Sequence, residues 1–362
     1  MYIVGARPNF MKVAPIMKAM DNDNCFVQSL VHTGQHYDAQ LSQIFFEELQ
    51  IPRPDIELNI GGGSHAEQTG RMMIALEQVF ENKAPDLIVV VGDVNSTLAA
   101  SITAAKLGIK IAHVEAGLRS FDRTMPEEIN RIVTDALSDF LFTTERSGNE
   151  NLLREGVAQE KIFFVGNVMI DTLLRCREQA QRTDILPRLQ LNPQAYAVLT
   201  LHRPSNVDQP EQLQRMFRIL CKVGQQIPVV FPCHPRTAKR LETLGTDLPV
   251  AEATSPSGII LQPPLGYLDF LYLVSQAKFV LTDSGGVQEE TTILGVPCLT
   301  LRENTERPVT IHEGTNILVG SSEALILTEV AKILAGHGKK GQIPTLWDGH
   351  AAIRIVETLR RV

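Results

Sequence analysis

At 362 residues the chain is too long for one ordinary hydrophobic core and fits two domains of about 150–200 residues each. Its 44% hydrophobic and 21% charged residues describe an ordinary globular protein, and a net charge of −7 with no long Lys/Arg run argues against a nucleic-acid partner. No apolar run reaches the ~18 residues of a membrane span, the N-terminus lacks a signal-peptide pattern, and Cys25, Cys176, Cys221, Cys233 and Cys298 form no C-x-x-C pair, which fits thiols in a reducing cytoplasm and no metal site.

Short β-rich apolar runs alternate with helical patterns. In the first half, strands are predicted at Tyr2–Val4, Phe26–Val31, Leu87–Val91, Ile109–His113, Phe140–Phe142 and Ile162–Val165. Helical stretches lie between them at Met11–Met20, Ala66–Phe80, Ser96–Lys106 and Glu127–Leu137. The second half repeats the plan, with strands near Ala197–Leu201, Val229–Pro232, Ile259–Leu261, Phe279–Thr282 and Cys298–Leu301. Such alternation predicts an α/β protein with two parallel sheets, each carrying helices on both faces. The polar stretch Arg175–Pro193 is the expected boundary, with one domain over residues 1–175 and another over 176–349. The final helix, His350–Arg361, is expected to pack back on the first domain.

In such sheets ligands bind beyond the carboxyl ends of strands, so the polar residues there carry the functional reading. Ile3-Val4-Gly5-Ala6-Arg7-Pro8 is a strand end, a glycine turn and a proline suited to a first helical position, placing Arg7 and Lys12 near one mouth. Two cations there could offset a diphosphate. Asp93 follows Leu87–Gly92, where a helix cap and a catalytic acid are equally open readings. Glu115 follows Ile109–Val114 and leads into Ala116-Gly117-Leu118-Arg119, no obvious helix, so capping explains it less well. Glu127 and Glu128 follow Pro126 at a helix start, which favours acids anyway, and Arg131 could pair with Glu127. His202 and His234 close two neighbouring strands of the second half, and none of the nine histidines has zinc-site spacing. Thr282-Asp283-Ser284-Gly285-Gly286-Val287-Gln288-Glu289-Glu290 is the most informative stretch. It reads as a buried strand, a glycine turn and a helix start, where free N–H groups and the positive helix end attract phosphate. Glu290 would lie within reach of a neutral hydroxyl such as a ribose. A Ser-capped helix with turn glycines is the bland alternative.

Taken together, these segments resemble the non-hydrolysing UDP-N-acetylglucosamine 2-epimerase family over essentially the whole chain. The anchors are Gly5-Ala6-Arg7-Pro8 with Lys12, Gly34-Gln35-His36, Gly92-Asp93, His113 to Arg119, Pro126 to Arg131, Thr282 to Glu290 and Thr305-Glu306-Arg307-Pro308. The resemblance implies a GT-B-like fold, two Rossmann-like domains facing across a cleft. It also implies a homodimer that makes UDP-N-acetylmannosamine for surface polysaccharides and needs no cofactor or metal. Residue by residue, Arg7, Lys12, Asp93, Glu115 and His202 match active-site positions of the family, and Glu127 matches a third carboxylate. Leu265 and Phe270 match positions at the uracil, Ser284-Gly285-Gly286 the diphosphate, Glu290 the ribose, and Arg307 a further substrate-contacting cation. Some members bind a second substrate molecule through residues resembling Gln35, His36, Arg71 and His234. Asp38 departs from the Gln common in those regulated members. Asn9-Phe10 stands for a frequent Glu-Ala, and Arg203-Pro204-Ser205 for a frequent Arg-Arg-Glu. The opening strand starts almost at Met1, shorter than usual, which points to a start further upstream.

The hydrogen on carbon 2 of the sugar is not acidic, because no carbonyl is attached directly to that carbon, and a base alone cannot epimerise it. The resemblance implies loss of UDP from carbon 1 to give a 2-acetamidoglucal, then re-addition with protonation on the other face. That course calls for proton-transfer groups on both faces and for cations and amides at the leaving diphosphate. A hydrolysing relative releasing UDP and N-acetylmannosamine, a GT-B glycosyltransferase using a UDP-sugar, and a silent UDP-sugar sensor are the competing expectations.

Overall fold

The strands are short runs in which nearly every residue is buried. The aliphatic run Ile88-Val89-Val90-Val91 and the fully buried Phe279–Thr282 can be satisfied only inside a sheet covered on both sides. The structure, a computed structural model, describes residues 1–21, 23–35, 48–207, 209–233, 237, 240–241 and 258–361, with the side chains of Arg7, Pro204 and Ser205 outside the description. Two units emerge, Met1–Arg175 with Thr345–Val362, and Cys176–Pro344.

In the first unit, β1 (Tyr2–Val4), β2 (Leu30–His32), β3 (Ile56–Glu57), β4 (Leu87–Val91), β5 (Lys110–Ala116), β6 (Phe140–Thr143) and β7 (Ile162–Phe164) form a sheet in the order β3-β2-β1-β4-β5-β6-β7. Every pairing is parallel. In the second unit, β8 (Ala197–Thr200), β9 (Val229–Pro232), β10 (Ile259–Gln262), β11 (Phe279–Thr282), β12 (Cys298–Thr300) and β13 (Asn316–Leu318) stand in the order β10-β9-β8-β11-β12-β13, again all parallel. Both are Rossmann-like sheets. In each, the chain reverses direction across the sheet between the first strand and the fourth, β1/β4 and β8/β11. Ligands of doubly wound sheets bind at that switch point.

Side-chain alternation divides each sheet into two cores. In the second unit, Leu199, Phe231, Ile259, Leu281 and Leu299 pack on one face, while Val198, Val230, Ile260, Val280 and Cys298 pack on the other. Each fully buried aliphatic chain of this kind contributes about 1.5–3 kcal/mol of transfer free energy. The first unit is joined by the chain's C-terminal segment. Trp347 is buried and donates its indole N–H to the Thr144 carbonyl at 2.9 Å. The helix Ala351–Leu359 is capped by Asp171, whose carboxylate accepts the Ala351 and Ala352 amides, and it packs against the helix Arg7–Met20.

Four elements differ from expectation. The second strand begins at Leu30, because the Asp23 carbonyl and carboxylate accept the Phe26 and Cys25 amides and fold residues 23–26 into a turn. β5 runs on through Ala116, so Glu115 lies within the last pleat of the strand and not beyond it. Two of the four edge strands, β3 and β13, were not expected from the sequence; with two and three residues they are too short for a periodic pattern.

Candidate active site

At the first unit's switch point three strand ends converge on Gly92. Gly92 has φ +67°, and a Cβ built there would come within 2.9 Å of Lys12 Nζ and 3.9 Å of Glu115 Oε2. Lys12, from the helix after β1, and Glu115, from β5, form an ion pair, both side chains nearly buried. Glu115 sits on a β-bulge between Val114 and Ala116 with φ 75°, a conformation costly for a residue with a side chain. The bulge turns a carboxylate at the strand end onto Lys12. Asn9 ties the same corner together. Its Oδ1 accepts the Gly5 and Ala6 amides at 3.0 Å each, and its Nδ2 donates to the Val91 carbonyl at 3.0 Å.

The helix Pro126–Leu137 supplies the next layer, and its buried residues are polar: Glu128, Asn130, Arg131, Thr134 and Asp135. Arg131 pairs through Nη1 with Asp93 and donates Nε and Nη2 to Glu128 Oε2 at 3.0 and 2.6 Å. Glu128 also accepts the Ser120 and Phe121 amides at 3.0 and 2.9 Å. Burial would raise the Glu128 pKa, but the Ser120 amide and Arg131 outweigh it and hold the carboxyl below its ordinary value. Asn130 donates to the Asp93 carbonyl at 2.8 Å. Beneath Gly92, His113 is fully buried, with Nδ1 2.6 Å from Asp135 and Nε2 2.9 Å from the Gly92 carbonyl. Asp135 also meets the Arg119 guanidinium at 2.7 Å, and His113 and Arg119 together overcome the burial that would otherwise raise its pKa, leaving it lowered.

The expected site residues of this unit thus divide. Lys12, Asp93 and Glu115 come to one corner. Glu127 lies half-buried in the first turn of the helix, with no hydrogen bond or ion pair among the described residues, and Arg131 has taken Glu128 and Asp93 as partners in place of Glu127. Arg7 opens its helix, and nothing further of its side chain is described. Of the residues matched to a second binding site, His36 and His234 lie outside the described residues, as does Asp38. Gln35 accepts the Ser96 amide and hydroxyl at 3.0 and 2.8 Å, and exposed Arg71 donates to the Gly62 carbonyl at 2.5 Å.

At the second unit's switch point, β11 delivers Asp283 and Ser284, and the helix Gly285–Leu294 begins at Gly285. Ser284 makes no side-chain cap bond to the helix, so the capped-helix alternative does not hold. Ser284, Gly285 and Gly286 are half-buried, which leaves the helix start accessible to an anion. A Cβ on Gly285 would fall 2.3 Å from Arg307 Nη1. Arg307 is buried, donating Nε to Glu289 at 2.5 Å and Nη1 to Glu306 at 2.6 Å. Glu306 collects Arg302 at 2.7 Å and Arg203 at 3.4 Å as well. Burial works against its charge, but the three guanidiniums hold its carboxyl well below the usual range. His202, at the end of β8, pairs with Asp283 at 2.8 Å while its own side chain stays largely exposed.

Glu290 is buried in the same helix and accepts from the Tyr267 hydroxyl at 3.1 Å. Burial pushes its carboxyl up to about 7; the Tyr267 bond opposes this and the neighbouring Glu289 adds to it. Leu265 and Phe270 are partly buried against the core face formed by Val198, Val230 and Val280. Sequence reasoning missed Glu128 and Asp135 as partners, and Asp283 and Tyr267 altogether. The 128, 131, 135 spacing was a helical stripe in plain view, but a polar stripe is ordinarily read as solvated.

A family model described as UDP-N-acetylglucosamine 2-epimerase matches residues 18–360. The UDP-N-acetylglucosamine 2-epimerase of Methanocaldococcus jannaschii is 44% identical over 355 residues, covering 94% of this chain and 96% of that protein. The UDP-2,3-diacetamido-2,3-dideoxy-D-glucuronate 2-epimerase of Pseudomonas aeruginosa is 41% identical over 363 residues, covering 99% of each. Among solved structures, the M. jannaschii UDP-GlcNAc 2-epimerase in complex with UDP-GlcNAc and UDP aligns with a TM-score of 0.92 at 42% identity, over 100% of this chain and 99% of that one.

Arg131→Ala would leave buried Glu128 without its cation. The expected cost is about 3–5 kcal/mol of unfolding free energy, the range for breaking a buried pair on one side. Urea denaturation of the variant measures it, and a loss under ~1 kcal/mol would mean that Arg131 is dispensable to the fold.

Proposed function

The chain belongs to the UDP-N-acetylglucosamine 2-epimerase family, and we propose that it interconverts UDP-N-acetylglucosamine and UDP-N-acetylmannosamine by the non-hydrolysing course. The observation that carries this is the convergence, at one switch point around Gly92, of two carboxylates each held by a cation, Glu115 by Lys12 and Asp93 by Arg131. Asp93 and Glu115, with Glu127, move the carbon 2 proton; Lys12 and Arg7 offset negative charge at the diphosphate. As the proton leaves carbon 2, its electron pair forms the carbon 1–carbon 2 double bond and the carbon 1–oxygen bond breaks toward UDP. Re-addition of UDP with proton delivery to the other face inverts carbon 2. The second unit holds the nucleotide: diphosphate at Ser284-Gly285-Gly286, ribose on Glu290, uracil against Leu265 and Phe270. Arg307, locked between Glu289 and Glu306, keeps positive charge over the glycine turn. His202 serves the leaving phosphate. This course calls on no redox cofactor and no metal. A homodimer supplying surface polysaccharide synthesis in the cytoplasm completes the proposal.

The P. aeruginosa relative supports a second reading, in which the sugar is a 2,3-diacetamido uronate and the carbon 2 chemistry is unchanged. Assay of both UDP-sugars side by side separates the two by kcat/KM.

The test of the reaction is a proton NMR time course with UDP-N-acetylglucosamine in heavy water. Deuterium at carbon 2 together with UDP-N-acetylmannosamine is expected; stoichiometric free N-acetylmannosamine would replace this reading with hydrolysis. Asp93→Asn, Glu115→Gln and Glu127→Gln should each slow turnover at least ~100-fold, the usual scale for a lost acid or base, while UDP still binds. Near-normal rates in all three would return these carboxylates to structural roles.

Glu290→Ala should weaken UDP binding by roughly 1.5–3 kcal/mol, the scale of hydrogen bonds to a charged group. The pH dependence follows in sign from its raised pKa. The carboxyl is protonated below about 7, and only the ionised form accepts from both ribose hydroxyls, so binding releases a proton. Affinity for uridine, which carries no titrating phosphate, is expected to fall about tenfold from pH 8 to pH 6 in the native protein and to stay flat in Glu290→Gln. Calorimetric titrations showing equal slopes in both would remove Glu290 from the ribose.

A further inference from the structure

Asp283 is a fully buried carboxylate at the second switch point that the proposed reaction leaves without a task. It closes β11 beside β8, where Thr282 and Thr200 are in register and their hydroxyls meet at 2.5 Å. Among the described residues its two oxygens face donors. Oδ1 lies 2.8 Å from His202 Nδ1 and 3.2 Å from the His202 amide. Oδ2 accepts the His202 amide at 3.1 Å, the Arg203 amide at 3.0 Å and Asn206 Nδ2 at 3.0 Å. Burial opposes the charge on Asp283, but His202, Asn206 and the Arg203 amide prevail and keep its pKa lowered, so it stands as an acceptor.

We infer that Asp283 is the positioning residue of His202, fixing its tautomer and aiming Nε2 at the diphosphate. An ionised carboxylate can only accept, so the ring nitrogen that meets it must carry hydrogen. In the neutral ring Nε2 then bears the lone pair, and in the protonated ring Nε2 holds the mobile proton. The side chain of His202 is 62% exposed, so one nitrogen is anchored in the protein and the other is left for a ligand. A carboxylate needed only to close the 202–206 turn would be complete with the backbone amides and Asn206; the imidazole bond is additional to that role.

The inference rests on the proposed function for the step it serves. As the carbon 1–oxygen bond breaks, the Nε2 proton passes to the diphosphate oxygen that receives the bond pair, leaving the neutral Nδ1–H ring. As that oxygen attacks carbon 1 of the glucal, its proton returns to Nε2. The ring is regenerated in each direction without turning, because Asp283 never releases Nδ1–H. This is the orientation and tautomer role that a buried carboxylate plays for a catalytic histidine.

Asp283→Asn tests it. Oδ2 faces three donors, the His202 and Arg203 amides and Asn206 Nδ2, so the amide oxygen must turn there and the NH2 must face Nδ1. Nδ1 then has to accept, and the neutral ring switches to the Nε2–H form. Nitrogen-15 NMR of His202, at a pH where the ring is neutral, is expected to show Nδ1–H in the native protein and Nε2–H in Asp283→Asn. Turnover should fall ~100-fold, as should that of His202→Gln, with UDP affinity little changed. Native Nε2–H, or a variant that keeps both the Nδ1–H ring and near-native turnover, would overturn the inference. If Asp283→Asn does not fold, the native tautomer alone decides. Normal turnover in His202→Gln would sink the proposed role of His202 in the reaction, while the tautomer measurement would still decide whether Asp283 positions the ring.

Discussion

A buried charge must be matched by a partner, and that requirement shapes the first unit's site more than any apolar packing does. Arg131 is almost entirely buried, so it needs the carboxylates of Glu128 and Asp93. Glu128, thus held, accepts the Ser120 and Phe121 amides and fixes the loop that follows β5. Asp135 repeats the device one turn later, between His113 and Arg119, and its bond from the Gly117 amide holds the first residues after the strand. One helical stripe therefore fastens both the Gly92-Asp93 turn and the far side of Glu115. Replacing such a network with apolar residues could be neutral for stability. It would leave Asp93 without its Arg131 partner and the chain after Glu115 without its Asp135 anchor, and that difference is the reason a polar stripe stands where a core stripe would ordinarily be.

The second unit meets the same electrostatic constraint with a different balance. Around its glycine turn, three arginines share Glu306 while Glu289 takes Arg307, so the cations are held in place without a ligand. The helix start adds unpartnered amides and the positive end of its dipole. An anion arriving there meets donors already oriented, with little reorganisation to undergo. Glu290 behaves oppositely. Deep burial beside Glu289 leaves its charge poorly supported, and a ligand hydroxyl is the donor that would complete it.

How much of this could be read beforehand depends on whether a feature is local. Leu87–Val91, Val229–Pro232 and Phe279–Thr282 are continuous apolar runs between punctuating residues, and the strands occupy those residues. Asp93, His202 and the Ser284 turn were legible because the strand-end rule needs only the strand boundaries. The partners were not. Arg131 has acids at positions 127, 128 and 135 within reach on one helix, and only the direction in which the helix faces the sheet selects Glu128 and Asp93. Glu115 shows the same limit at the backbone. Its position near a strand end was apparent, but the bulge that gives it a positive φ depends on the register with β6.

Asn9 carries the argument one step further, since it departs from the glutamate frequent at that position in the family. Its oxygen takes two amides of the β1 turn while its nitrogen donates to the Val91 carbonyl at the end of β4. An amide serves both needs with one side chain. A glutamate could accept the amides but, when ionised, has no hydrogen for Val91, and it would add a negative charge beside Lys12 and Glu115. With Asn9 neutral, Lys12 faces one carboxylate in this corner and not two, so its positive charge is less fully spent within the protein. The departure thus keeps the β1 and β4 ends stitched together and leaves more of the Lys12 field for an anionic ligand.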